Sequence, residues 1–87
     1  MQVSVWDTYV TKKDGTIMHF DIIAPDFIKD EKIIYAYGKE YLLSRNQENL
    51  LLTSNECTFC HIEKASIEME LSIKQKGFYI LEMQNCK

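Results

Sequence analysis

The chain has 87 residues, enough for one domain with one modest core, because a chain this short buries roughly 60–65% of its unfolded surface. Its 46% hydrophobic and 26% charged residues make a globular rather than a disordered composition. Ten basic against 13 acidic residues leave a net charge of −3, and the lysines are scattered, Lys12-Lys13 being followed at once by Asp14, so a nucleic-acid partner is not expected.

The N-terminus, Met1 to Asp7, has no basic start and no apolar run ending in a small-residue cleavage site, and it reads as a first strand. No segment approaches the ~18 apolar residues of a membrane span. The expectation is a single cytoplasmic domain over residues 1–87, without a membrane partner, whose cysteines Cys57, Cys60 and Cys86 stay mostly reduced.

Val3 to Thr11 and Thr16 to Ile23 are rich in β-branched and aromatic residues, and the Asp14-Gly15 turn signal between them predicts a hairpin. A two- or four-residue loop would set Trp6 and Val10 beside His19 and Asp21. A three-residue loop, Lys13-Asp14-Gly15 with Gly15 left-handed, instead gathers Trp6, Thr8, Val10, Met18, Phe20 and Ile22 on one nearly all-apolar face. That register is preferred. It leaves Asp7, Tyr9, His19 and Asp21 together on the opposite face, between Val3/Val5 and Ile17/Ile23.

Pro25 closes the second strand, since it cannot donate to a ladder. A helix follows from about Asp30, its N-cap, to Leu43, with Ile34, Tyr37, Gly38, Tyr41 and Leu42 as the inward stripe. Gly38 costs ~1 kcal/mol against alanine there, and its expected compensation is close approach of the helix to the sheet. Ser44 to Asn49 reads as loop, and Leu50-Leu51-Leu52 as either a short strand or a loop plugging the core.

Thr53-Ser54-Asn55-Glu56 has capping-box spacing, which would start a helical turn, whereas Cys57 to Ile62 has strand content, and a short strand is preferred. Ser66 then caps a second helix, with Glu68 and Glu70 near its positive end, Lys74 and Lys76 near its negative end, and Gly77 terminating it. Phe78 to Met83 is apolar on both alternating sets, the pattern of an interior strand. The fold class is therefore α+β, a two-layer sandwich in β-β-α-β-α-β order with both helices packed on one sheet face.

Three separated stretches, Val5-Trp6-Asp7-Thr8-Tyr9-Val10, Met18-His19-Phe20-Asp21 and Glu56-Cys57-Thr58-Phe59-Cys60-His61, resemble a family of small bacterial proteins catalogued as domain of unknown function twenty-twenty-four. The closing Lys76-Gly77-Phe78-Tyr79-Ile80 and Asn85-Cys86 fit it as well, so the resemblance spans essentially the whole chain. It implies a compact α+β fold and a free-standing bacterial protein, and it supplies no reaction, substrate or cofactor.

Two constellations could carry chemistry. Cys57-x-x-Cys60-His61 offers thiolate and imidazole ligands for structural zinc, with Cys86 as a third ligand and His61 or His19 as the fourth. Cys60 and His61 are neighbours, however, and on a regular strand they point to opposite faces, so both bind only if the segment bends. The plainer reading treats these cysteines as small buried apolar residues. The same string matches the c-type haem attachment motif, a chemistry that normally needs export. A thiol–disulfide pair is the third use, and it would need Cys57 in the first turn of a helix.

Asp7, Tyr9, His19 and Asp21 form the second constellation: carboxylates beside an imidazole tune a general base or offer a metal an N/O ligand set. The plainer reading is a half-solvated sheet face of cross-strand polar pairs. Asp7 directly opposite Asp21 would then be repulsive, which invites a cation, a shared proton or a donor between them. Of the aromatic residues Tyr35, Tyr37 and Tyr41 on the first helix and Phe78 and Tyr79 on the last strand, Tyr37 and Tyr41 sit on the inward stripe and are most simply core, while Tyr35 lies off it; an exposed tyrosine patch there would offer a homodimer surface.

The sequence thus describes a small non-enzymatic binding or interaction protein, with either no cofactor or a structural zinc ion at Cys57, Cys60, Cys86 and a histidine. The alternative is a thiol-redox protein or enzyme that uses Cys57/Cys60 or the Asp7-His19-Asp21 group.

Overall fold

In the computed structural model, which describes residues 1–87, β1 (Gln2–Thr11) and β2 (Ile17–Pro25) pair antiparallel with Asp7 opposite Asp21 and Tyr9 opposite His19. The connection is the three-residue loop Lys13-Asp14-Gly15. The Lys12 amide donates to the Thr16 carbonyl at 2.8 Å, and the Gly15 amide returns to the Lys12 carbonyl at 2.9 Å. Gly15 sits at φ +90°, a backbone angle that L side chains resist. The Asp14 carboxylate accepts from both the amide (3.0 Å) and the hydroxyl (2.7 Å) of Thr16, holding the turn. Odd positions therefore face odd, as the hydrophobic pattern requires.

α1 (Glu31–Ser44), β3 (Cys57–Lys64), α2 (Ile67–Lys76) and β4 (Tyr79–Gln84) complete the β-β-α-β-α-β order, and the sheet runs β3-β1-β2-β4, all antiparallel. Asp30 caps α1 through the Lys32 amide, Ser66 caps α2 through the Met69 amide, and Gly77 ends α2 at φ +94°. α1 lies over the even-numbered face. There Trp6, Val10, Met18, Phe20, Ile22 and Ala24 pack with Ile34, Tyr41, Leu42 and Leu52 in the larger core. Each fully buried large apolar side chain contributes ~1.5–3 kcal/mol. The lone tryptophan is 8% exposed and its indole N–H donates to the Ser4 hydroxyl at 3.1 Å.

The expectation that both helices share one sheet face holds for α1 and fails for α2. Val3, Val5 and Ile23 alternate onto the odd face, and Ala65 and Met69 cover them, with Ile73 and Tyr79 alongside, in a second smaller core. Three fully buried aliphatic side chains cannot be left to water, so α2 crosses to that side and covers the end of the face nearest the start of β1. The rest of the odd face has no helix over it.

β4 is also an edge strand rather than an interior one. Its doubly apolar pattern arises because Phe78 and Ile80 meet the α1 side, where Tyr37 stacks on Phe78 with centroids 4.5 Å apart, while Tyr79 meets the α2 side. Beyond that, Leu81 and Met83 are exposed. Leu50 to Leu52 form no strand; Leu52 plugs the core beneath Gly38. A β-carbon at Gly38 would strike the Leu52 side chain and approach the Ile22 Cδ1 to 2.9 Å, so glycine is what permits this close approach and a larger residue would force both buried side chains to shift. Thr53 to Glu56 makes one turn, closed by the Cys57 amide on the Thr53 carbonyl at 2.9 Å, and the chain then enters β3 instead of a helix.

Candidate functional site

The uncovered part of the odd face is built around β2, an interior strand. Asp21 is flanked by Asp7 on β1 and Leu81 on β4, and it is 92% buried although acidic (8% exposed). His19 lies two residues along the same strand and so on the same face. Its ring stacks on Tyr9, the residue opposite, at 4.1 Å with an 11° interplanar angle, which fixes the imidazole plane. His19 Nε2 stands 3.3 Å from Asp7 Oδ1 and 3.8 Å from Asp21 Oδ1. One ligating atom from each of Asp7, His19 and Asp21 lies within 4.8 Å of the others.

Asp21 Oδ1 is buried and has no hydrogen-bond partner. An ionised carboxylate in that position is unfavourable. Burial, then the neighbouring carboxyl of Asp7, push the Asp21 carboxyl up to about 6, against a smaller opposing pull from His19 and His61. The group is therefore a buried, under-satisfied acid facing a second acid, with one imidazole between them. Its ligand atoms are close enough together for a proton or a cation to be shared among them.

The cysteine ligand set is not assembled. Cys57, opposite Thr8, points to the α1 side and is 1% exposed, and burial pushes its thiol up. Cys86 is buried in the same core, where its thiol donates to the His19 carbonyl at 3.3 Å. Cys60 is exposed at a register break in β3, between the Val5–His61 and Trp6–Phe59 pairs. That break is a β-bulge, and it turns Cys60 toward the same side as His61, with Cys60 Sγ 3.2 Å from His61 Nδ1. The bend that joint ligation requires is thus present, but plain strand alternation has already set Cys60 on the face opposite Cys57, and Cys86 lies across the sheet with Cys57. The four residues do not fit a tetrahedral zinc site, and Cys57 and Cys60 do not fit a dithiol pair. All three thiols are free.

The tyrosines divide similarly. Tyr41 is core, tilted against Phe20 at 4.7 Å, Tyr37 is stacked on Phe78, and Tyr35 leans on its own helix through Glu31 Oε2 at 3.0 Å. They do not form one continuous exposed patch. Glu63, two residues beyond His61, is the polar residue that sequence reasoning passed over: its Oε1 lies 2.6 Å from His61 Nε2. The alternation of a strand, which sets i and i+2 on one face, was the available signal.

A family model described as domain of unknown function, DUF2024, matches residues 1–83. Among solved structures, the NMR structure of protein NE1680 from Nitrosomonas europaea is similar, at 44% identity over 100% of both chains with a TM-score of 0.86. No curated protein matches the chain. No helix is long and apolar enough to cross a membrane.

Proposed function

The chain belongs to the DUF2024 family, a membership that fixes its fold and names no reaction, and on that premise we propose that it is a small binding domain that holds a divalent cation between Asp7, His19 and Asp21. The observation that carries the reading is the buried, unpartnered Asp21 Oδ1, aimed into a cluster that already holds a second carboxylate and an oriented imidazole. Buried polar groups in folded proteins are almost always satisfied, and an ion is one of the few partners that would satisfy this carboxylate together with its neighbour.

One imidazole and two carboxylates suit a borderline ion of the zinc or manganese class, rather than the all-oxygen shell of calcium or the all-sulfur shell of structural zinc. Three protein ligands on an open sheet face leave coordination positions for water or for an oxygen of a bound partner. Such a site binds and presents a ligand.

The test is calorimetric titration of metal-free protein with Zn²⁺ and Mn²⁺, beside the Asp21→Asn and His19→Ala variants. Wild type should bind one equivalent, and each variant should lose affinity by at least about tenfold. Wild type that binds neither ion, or variants that bind as tightly as wild type, would overturn the reading.

A further inference from the structure

We propose that Cys60, His61 and Glu63 form a nucleophilic thiol centre on the exposed edge strand, and that this centre undergoes exchange with uncharged or cationic disulfides to give a mixed disulfide at Cys60. The thiol step needs no cation at Asp7, His19 and Asp21, although the charges of Asp7 and Asp21 act on it and are those of the cation-free protein. Three observations carry it. The β-bulge at Cys60 brings adjacent residues to one side of the sheet, which a regular strand forbids. Cys60 Sγ is then 3.2 Å from His61 Nδ1, and His61 Nε2 is 2.6 Å from Glu63 Oε1. A single neutral tautomer satisfies both contacts: Nε2–H donates to the Glu63 carboxylate, and Nδ1 is free to accept the thiol proton.

This is the order nucleophile, base, orienting carboxylate, within hydrogen-bond reach at each step. His61 is half exposed and Cys60 is exposed, so a reagent has access. Cys57 and Cys86 are buried in the α1-side core and cannot serve as resolving thiols, so the product is a mixed disulfide and not an internal one.

In the step itself, the Cys60 proton passes to His61 Nδ1 as Sγ attacks one sulfur of the incoming disulfide. The new Sγ–S bond forms, the old S–S bond breaks, and the departing thiolate takes the proton back from His61 and leaves as a thiol. The disulfide is the oxidant, and no other co-reactant is needed. The base matters here because local desolvation, then the carboxylates of Asp7, Asp21 and Glu63, hold the Cys60 thiol above its ordinary range, so spontaneous ionisation is disfavoured. The same carboxylates repel anionic reagents, which sets the preferred charge of the partner.

The experiment follows release of chromophore from a neutral dipyridyl disulfide by folded protein in the presence of a chelator, with mass mapping of the modified cysteine. One thiol per chain should react, and the reaction should vanish in Cys60→Ser. At pH 7, His61→Gln should slow it by about tenfold or more and Glu63→Gln by a smaller factor, and the variants should converge with wild type at high pH, where the thiol ionises unaided. An anionic aromatic disulfide should be discriminated against more strongly by the protein than by a free thiol. A His61→Gln rate within about twofold of wild type at pH 7, or modification that maps to Cys57 or Cys86 in folded protein, would overturn the proposal.

Discussion

Replacing Asp21 with asparagine should make the metal-free protein more stable at neutral pH while weakening its cation affinity. The folded chain raises the Asp21 carboxyl from 3.8 to about 6. At ~1.36 kcal/mol per unit, an ionised Asp21 therefore burdens the fold by at most about 3 kcal/mol at pH 7.5. Asp7, which supplies part of that burden, keeps 39% of its side chain exposed, and solvent screening lowers the realistic figure to roughly 1–2 kcal/mol. The asparagine carries no charge, and its amide can donate to Asp7.

For a domain of this length each kcal/mol moves Tm by about 4–8 °C, so the variant should melt roughly 5–10 °C above wild type at pH 7.5. The pH dependence has a fixed sign. Because the folded state holds this proton more tightly than the unfolded chain, Asp21 destabilises above about 6, and the penalty fades as the pH falls toward the unfolded value near 4. Thermal melts followed by circular dichroism at pH 7.5 and pH 4 would show the gap between variant and wild type closing. A variant that melts below wild type at pH 7.5, or a gap that persists unchanged at pH 4, would refute the reasoning. Excess Zn²⁺ should raise the wild-type Tm more than that of the variant.

Gly38→Ala removes a glycine from a helix, a gain of ~1 kcal/mol on propensity alone, yet it drives a methyl into the buried Leu52 and Ile22 side chains, and overpacking of ~1–3 kcal/mol should win. Urea unfolding should show a net loss of roughly 1 kcal/mol, and a stabilised variant would mean that Leu52 moves aside freely. Gly15→Ala meets no atom within 4 Å, so any loss there is backbone strain at φ +90° and should be about 1–2 kcal/mol, again by denaturant midpoint. Cys57→Ser places a hydroxyl in the apolar α1-side core and should destabilise by about 1–3 kcal/mol without changing Zn²⁺ affinity. A fall in Zn²⁺ affinity in that variant would restore the cysteine ligand set.

Much of the fold was legible because several local signals agreed. The hairpin register followed from demanding one apolar face, and Asp14-Gly15 supplied the only turn chemistry compatible with it. Helix ends were readable from Asp30, Ser66 and Gly77, since each cap is a single-residue effect with a specific hydrogen bond. What stayed hidden depended on partners distant in sequence. Alternation placed Val3, Val5 and Ile23 on the odd face, but nothing local said that Ala65 and Met69 would come to cover them. The edge position of β4 was masked for the same reason: a strand between two helices on opposite faces is apolar on both sides without being flanked by strands.

The one-residue insertion in β3 had the largest consequence for the site. A bulge carries no compositional mark when it falls at a cysteine rather than a glycine, so the meeting of Cys60 with His61 on one face was not readable, whereas strand alternation alone already sets Cys57 and Cys60 on opposite faces. Cys57 lies before the bulge with its thiol in the core, and Cys60 lies at the bulge with its thiol in water beside His61. Asp7, opposite Thr58, lies in the regular register beside the bulge, and it belongs to the β1–β2 cluster with His19 and Asp21. With the bulge in β3, two small polar groups stand side by side on the open face. One is a carboxylate–imidazole cluster fixed by the hairpin register, and the other a thiol–imidazole–carboxylate row that exists only because the register of β3 slips.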